Sequence, residues 1–149
     1  MAKVEHSVVI KRPVEEVFEF VTNYQNHSLW RSETVEAIQT SKGPTGLGAT
    51  GREVSQVLGR RIEATAVITG YEPSRKLSAK TTSGPFSIEA SHTVESVEDG
   101  TRYTLVLEGE PGDFRGLAEP ILVRMAQRQI ETNLRNLKDL MEARIDRSA

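Results

Sequence analysis

The spacing of apolar positions changes along the chain and divides it into predicted elements. Residues 4–10 are rich in β-branched side chains and alternate enough to predict a strand. Pro13 ends this strand and suits the first turn of a helix, where its missing N–H needs no partner. A helical apolar spacing follows and predicts a short amphipathic helix with the apolar positions Val14, Val17, Phe18 and Val21.

A series of short strands follows this helix. Turn signals such as Gly59, Pro73 and Gly84 separate apolar stretches throughout the middle of the sequence. Because the connections are short, neighbouring strands should be antiparallel and form a meander. The predicted strands span residues 34–40, 52–58, 61–69, 76–82, 86–97 and 101–107.

A helical period returns after residue 113 and predicts one long C-terminal helix. About 25–30 residues would give a helix of about 40 Å, enough to cover a sheet, and it should start or kink near Pro120. We therefore expect an α+β fold, as one domain over residues 1–149. The apolar positions of the helix are Leu117, Ile121, Leu122, Met125, Ile130, Leu134, Leu137, Met141 and Ile145.

The amino-acid composition excludes several classes of site and partner. The 149 residues include no cysteine, which excludes disulfides, thiolate metal sites and a cysteine nucleophile. With 19 basic and 21 acidic residues the net charge is −2, so we expect no nucleic-acid partner. The first residues lack the apolar region of a secretory signal, and no segment reaches the roughly 20 apolar residues of a membrane span. These features predict a soluble, cytoplasmic protein without an integral membrane segment.

One motif has the spacing of a dinucleotide-binding loop. Residues 46–51 read G-x-G-x-x-G, but a strand-like sequence follows instead of the helix that would bind a pyrophosphate. We interpret the segment as a glycine loop between two strands. The sequence also lacks a close group of histidines and carboxylates, so we predict neither a metal nor a cofactor.

Strand alternation identifies the inner face of the predicted sheet. Four inner positions are alanine, which is a weak strand former and a small core residue. Either Phe18 together with Leu117, Ile121 and Met125 of the long helix fills the remaining space, or a cavity remains between helix and sheet. The inner positions that matter here are Ala64, Ala66, Ala79, Phe86, Ile88, Ala90, His92, Tyr103 and Leu105.

The polar and aromatic residues of this region have two interpretations each. His92 and Tyr103 are either core residues with one satisfied hydrogen bond or the polar anchors of an apolar pocket. Trp30, in a polar loop, is either a plug between loop and sheet or part of the pocket mouth. The faces of Arg52 and Gln56 stay undecided because the apolar positions of their strand do not alternate.

Several short motifs occur in an order typical of one family. They are Phe18-Glu19-Phe20-Val21 after Arg12-Pro13, Trp30, Leu58-Gly59-Arg60-Arg61-Ile62-Glu63, Tyr71-Glu72-Pro73, Thr82-Ser83-Gly84-Pro85-Phe86 and Asn136-Leu137-Lys138. On these residues the chain, from about Val4 to Ile145, resembles the polyketide cyclase/dehydrase branch of the START/Bet v 1-like (SRPBCC) superfamily. The resemblance implies a helix-grip fold: a curved antiparallel sheet of six or seven strands around a long C-terminal helix, with two short helices after the first strand and an apolar cavity.

Three functions follow as hypotheses. The first is binding or transport of a hydrophobic small molecule (lipid, isoprenoid or polyketide-like) in a cavity between sheet and C-terminal helix. The second is a cyclase/dehydrase-type enzyme with His92 and Tyr103 as acid and base. The third is a protein-interaction module without ligand, which could dock a partner on a weak basic stripe along the helix; the alternative is that the stripe is a solvated face interleaved with acidic residues. Separately, a homodimer is among the partners considered. The predicted ligand-binding residues are Trp30, Leu117, Ile121, Met125 and the nine inner positions of the sheet; the stripe comprises Arg124, Arg128, Arg135 and Lys138.

Overall fold

The computed structural model describes residues 2–110 and 116–143, and within these ranges seven strands form one antiparallel sheet. Ile145, predicted to extend the C-terminal helix, lies outside the described residues. The elements are β1 (Ala2–Ile10), α1 (Val14–Thr22), a 3-10 turn (Tyr24–Asn26), α2 (His27–Trp30), β2 (Thr34–Gln39), β3 (Thr50–Val57), β4 (Arg60–Glu72), β5 (Lys76–Ser83), β6 (Ser87–Val97), β7 (Gly100–Glu110) and α3 (Glu119–Ala143).

The sheet has the strand order β1-β7-β6-β5-β4-β3-β2. Strands β2 to β7 form the predicted meander, in which each strand pairs with its successor, and β1 joins the other edge by pairing with β7. The curled sheet, the long C-terminal helix and the short helices after β1 confirm the α+β helix-grip fold. The segment after Gly48 also agrees with the sequence analysis, because β3 rather than a helix begins at Thr50.

Helix α1 forms as its apolar spacing predicts. It begins after Pro13, carries Glu15 and Glu16 in its first turn, and buries one face in the core. Trp30 differs from the prediction, since it is the last residue of the short helix α2 rather than part of a loop. Its side chain is only 1% exposed, as expected for a residue that packs between this segment and the sheet rather than at a pocket mouth.

The two halves of α3 differ in burial. The C-terminal half buries Ile130, Leu134, Leu137 and Met141 in the core. The N-terminal half leaves Ile121 47% exposed and Met125 36% exposed. The helix is fastened to β1 by hydrogen bonds from Lys138 Nζ to the Val9 carbonyl (2.7 Å) and from Gln127 Nε2 to the Glu5 carbonyl (3.0 Å). None of the described helices is long and apolar enough to cross a membrane.

Candidate functional site

A cavity of about 310 Å³ lies between the inner face of the sheet and the segment from α1 to β2. Its size is at the lower end of the range of small-molecule sites. All four predicted alanines line it, and Ala79 and Ala90 face each other directly across β5 and β6. The cavity exists where these small side chains leave the inner face of the sheet unfilled.

The structure brings seven of the predicted site residues together around this cavity. They are Ala64, Ala66, Ala79, Phe86, Ile88, Ala90 and His92. Their shared position follows from strand alternation, which places them all on the inner face of β4, β5 and β6 or, for Phe86, immediately before β6. Their role in binding a ligand stays a prediction.

Six other predicted residues do not line the cavity. Trp30, Tyr103 and Leu105 are buried in the core cluster instead. Leu117, Ile121 and Met125 are absent from the wall because the N-terminal half of α3 packs beside the β1 edge and leaves two of them exposed. The expected cavity wall from the C-terminal helix is therefore replaced by the segment from α1 to β2.

The cavity has two chemically different ends. The hairpin end, near the β3–β4 and β5–β6 turns, is lined by Val57, Ile62, Pro85 and Phe86. The helix end, near α1 and α2, is lined by Tyr24, His27, Arg31, Glu53 and His92. An elongated guest would therefore meet an apolar wall along most of its length and polar groups at one end.

Arg31, Glu53 and His27 form a hydrogen-bonded cluster at the helix end. Arg31 Nη1 donates to both carboxylate oxygens of Glu53, at 3.2 and 3.5 Å. His27 Nδ1 lies 3.1 Å from Glu53 Oε1, and the Arg31 guanidinium carbon lies 4.9 Å from the centre of the Trp30 ring. The indole therefore supports the guanidinium on one side by a cation–π contact, while the carboxylate orients it on another.

The charges of this cluster are fixed by their surroundings. Burial alone would raise the pKa of Glu53, but the Arg31 guanidinium and the hydrogen bond from His27 outweigh burial and lower it to about 2. Burial and the nearby Arg31 lower the pKa of His27, against the opposing effect of Glu53. At pH 7 the cluster is thus an ion pair plus a neutral imidazole.

Asn133 of α3 positions the segment that carries Arg31. Its side chain is buried, its Oδ1 accepts from the Ser32 amide (3.1 Å), and its Nδ2 donates to Glu33 Oε1 (2.8 Å). The long helix therefore contributes to the site indirectly, by holding the residues on the C-terminal side of Arg31.

His92 and Tyr103 form a buried pair beside this cluster. His92 Nδ1 lies 2.7 Å from the Tyr103 hydroxyl, and the two rings are stacked. Burial lowers the pKa of His92 to about 3 and raises that of Tyr103 well above its ordinary value. Both side chains are therefore neutral at pH 7. His92 lines the cavity, whereas Tyr103 does not line it and contacts His92 from behind.

Sequence reasoning missed Arg31, Glu53 and His27. In β3 the odd positions, including Glu53, face the cavity, while Arg52 and Gln56 are on the outer face, where Arg52 pairs with Glu36 and Glu63. The position of Arg31 directly after the single tryptophan is the only local signal for it. In the ranges 2–110 and 116–143, no three His, Asp or Glu side chains lie close enough together to hold a metal ion.

Solved structures with this fold have very different sequences. A START superfamily protein from Mycobacterium smegmatis has a TM-score of 0.82 at 14% identity, over 96% of this chain and 99% of that chain. A Thermus thermophilus protein has a TM-score of 0.81 at 19% identity, over 95% of this chain and 97% of that chain. The Zhui aromatase/cyclase from a Streptomyces species has a TM-score of 0.78 at 16% identity, over 96% of this chain and 94% of that chain. At such identities the likeness shows a common fold.

The family is decided by the sequence itself. A family model described as polyketide cyclase/dehydrase and lipid transport matches residues 1–142. The chain belongs to this family. No curated protein has significant similarity to the sequence. The superfamily resemblance is thus confirmed, and membership in the polyketide cyclase/dehydrase and lipid transport family leaves binding and catalysis both open for this chain.

Tyr24 closes the helix end of the cavity by packing on Gly51. A Cβ atom at position 51 would lie 2.1 Å from Cζ of the Tyr24 ring, so only glycine allows this contact. We expect Gly51→Ala to displace the ring and destabilise the protein by about 1–3 kcal/mol in urea unfolding. Adding Tyr24→Ser should remove the clash and restore most of that loss; equal losses in the single and double variants would contradict the packing.

Proposed function

We propose that this protein binds a hydrophobic small molecule, such as a lipid, isoprenoid or polyketide, in the cavity between the sheet and the segment from α1 to β2. The observation that carries the proposal is the alanine-lined wall, which leaves about 310 Å³ unfilled inside the sheet. Apolar burial at about 25 cal/mol per Å² is sufficient to provide affinity for such a guest. The family membership supports the same class of ligand.

The enzymatic alternative has weaker support. A general acid or base acts best when its pKa lies near the working pH. The pKa of His92 is about 3, and among the described residues no carboxylate hydrogen-bonds its ring. We therefore propose that the pair serves binding rather than proton transfer.

The interaction-module alternative also has weaker support. Lys138 of the basic stripe is hydrogen-bonded within the chain, to Val9 and Glu142. The remaining arginines of the stripe, Arg124, Arg128 and Arg135, are exposed on α3. Such a surface is typical of a solvated helix face.

Native mass spectrometry after incubation with a cell lipid extract tests the proposal directly. We expect a retained species of defined mass, together with a higher melting temperature of the loaded protein. A protein that retains nothing and shows no melting shift with any apolar compound would overturn the proposed function.

Filling the cavity provides a matched genetic test. We expect Ala90→Leu to raise the Kd for the apolar fluorescent probe N-phenylnaphthylamine at least about tenfold, a difference of about 1.4 kcal/mol. Because the added atoms occupy empty space, the free energy of unfolding should not fall. Ser91→Leu, next to Ala90 but on the other face of β6, is the control and should bind the probe normally. If Ala90→Leu destabilises the protein and binds the probe normally, the ligand site is elsewhere.

A further inference from the structure

Two side chains at the helix end of the cavity, those of Arg31 and His92, have N–H groups without an acceptor among the described residues. Arg31 uses only Nη1, on Glu53, and its Nε and Nη2 have no acceptor within residues 2–110 and 116–143. The side chain is 17% exposed and lines the cavity. A guanidinium has five N–H donors in a fixed plane, so this one has donors left for a guest.

The second donor belongs to His92, and its hydrogen-bond partner determines which nitrogen carries the proton. Tyr103 is fully buried, and its hydroxyl has His92 Nδ1 as its single partner in the described part of the chain. If Nδ1 carried the proton, the tyrosine O–H would be buried without an acceptor, at a cost of about 1–3 kcal/mol. The hydroxyl therefore donates to Nδ1, and the ring proton lies on Nε2.

Nε2 of His92 is open to the cavity. It has no hydrogen-bond partner among the described residues, yet it is not fully buried, unlike Trp30 Nε1. His92 lines the cavity, while Tyr103 lies behind it. Tyr103 is thus a positioning residue, which makes His92 present an N–H rather than a lone pair.

The charge balance of the wall indicates what these donors would bind. The charged lining residues are Arg31, Lys80, Glu33 and Glu53, with two positive and two negative charges. These four charges balance, and the positive charge at the helix end, Arg31, is already paired with Glu53, so an entering carboxylate there would add an uncompensated negative charge. A neutral carbonyl oxygen avoids this cost, and its two lone pairs allow it to accept one hydrogen bond from each of two donors.

We propose that Arg31 and His92 form a hydrogen-bond-donor site for one uncharged carbonyl oxygen of an otherwise apolar ligand. This inference rests on the proposed function, since it names the ligand class for the same cavity. The carbonyl lies at the helix end, and the apolar body extends toward Val57, Ile62 and Phe86 at the hairpin end.

A matched ligand series tests this assignment. A long-chain methyl ketone, the alkane of equal length and the fatty acid of equal length are titrated at pH 7, with the fluorescence of Trp30 beneath Arg31 as the signal. We expect the ketone to bind at least about tenfold more tightly than the alkane, as hydrogen bonds from a charged donor predict. Isotope-edited infrared spectra should show the ketone stretch shifted to lower frequency on binding.

Paired substitutions distinguish loss of the donor site from the effect of removing any ion pair. Arg31→Met/Glu53→Gln removes the ion pair, and we expect it to abolish the ketone preference and reduce the infrared shift. Arg52→Met/Glu63→Gln makes the same change at an ion pair on the outer face and should leave both unchanged. If the first variant does not fold, His92→Phe/Tyr103→Phe removes the other donor without leaving an unpaired hydroxyl.

The outcomes distinguish the two proposals. Equal binding of ketone and alkane, or tighter binding of the fatty acid, would overturn the donor site and leave apolar binding intact. If none of the three compounds binds and no other apolar compound is retained or shifts the melting temperature, the proposed function fails and the donor site fails with it. A ketone preference that persists in both cavity variants would also overturn the assignment to Arg31 and His92.

Discussion

Arg31→Met is expected to lower the free energy of unfolding by about 2–3 kcal/mol at pH 7, because it leaves a largely buried carboxylate without its cationic partner. Glu53 has a side chain that is only 23% exposed, and Arg31 is its cationic partner in the ion pair. Urea unfolding at pH 7 measures the loss. Removing Arg52, which is 31% exposed and pairs with the more exposed Glu36 and Glu63 on the outer face, should cause a smaller change.

The pH dependence of this loss identifies its cause. The pKa of Glu53 is about 2 in the folded protein instead of 4.5, which corresponds to about 3 kcal/mol of stability. Because the folded-state pKa is depressed, this contribution is fully present above about pH 4.5 and disappears as the pH falls toward 2. The stability difference between wild type and Arg31→Met should therefore shrink across this range.

A double variant distinguishes the ion pair from simple loss of packing. In Arg31→Met/Glu53→Gln the buried charge is gone, so we expect most of the lost stability to return. A difference between wild type and Arg31→Met that is independent of pH, with no recovery in the double variant, would show that Arg31 stabilises the fold through its packing on Trp30 instead.

The second large effect is expected in α3. Leu134 is fully buried in the core cluster, so Leu134→Ala should lower the free energy of unfolding by about 2–5 kcal/mol. Met125→Ala, on the same helix but 36% exposed, should change it by less than about 1 kcal/mol. Chemical denaturation of both variants, with an unchanged m-value as the two-state check, measures the difference.

Comparable losses in these two variants would contradict the described position of α3. They would indicate that the N-terminal half of the helix is packed on the sheet and closes the space above it. The pair of variants therefore also tests whether the segment from α1 to β2, rather than α3, forms the wall of the cavity opposite the sheet.

The amino-acid sequence alone determined the succession of elements and the inner face of most strands. Apolar period and turn residues are local properties, so β1, α1, the meander and α3 could be predicted from them. Alternation in β4, β5 and β6 also placed Ala64, Ala79, Ala90 and His92 on one face. These predictions succeeded because each depends on neighbours within one strand or helix.

Only the tertiary structure determined which polar residues meet at the helix end of the cavity and which part of α3 is buried. Arg31 and Glu53 are 22 positions apart in the sequence and meet because β3 folds back under the segment after α2. Glu53 has no local pattern that gives its direction, since β3 is apolar at both even and odd positions. In α3 the apolar spacing continues through Ile121 and Met125, and only its packing beside β1 leaves them exposed. Local spacing specifies which side of an element is apolar, whereas contacts between distant segments determine which part of that side is covered.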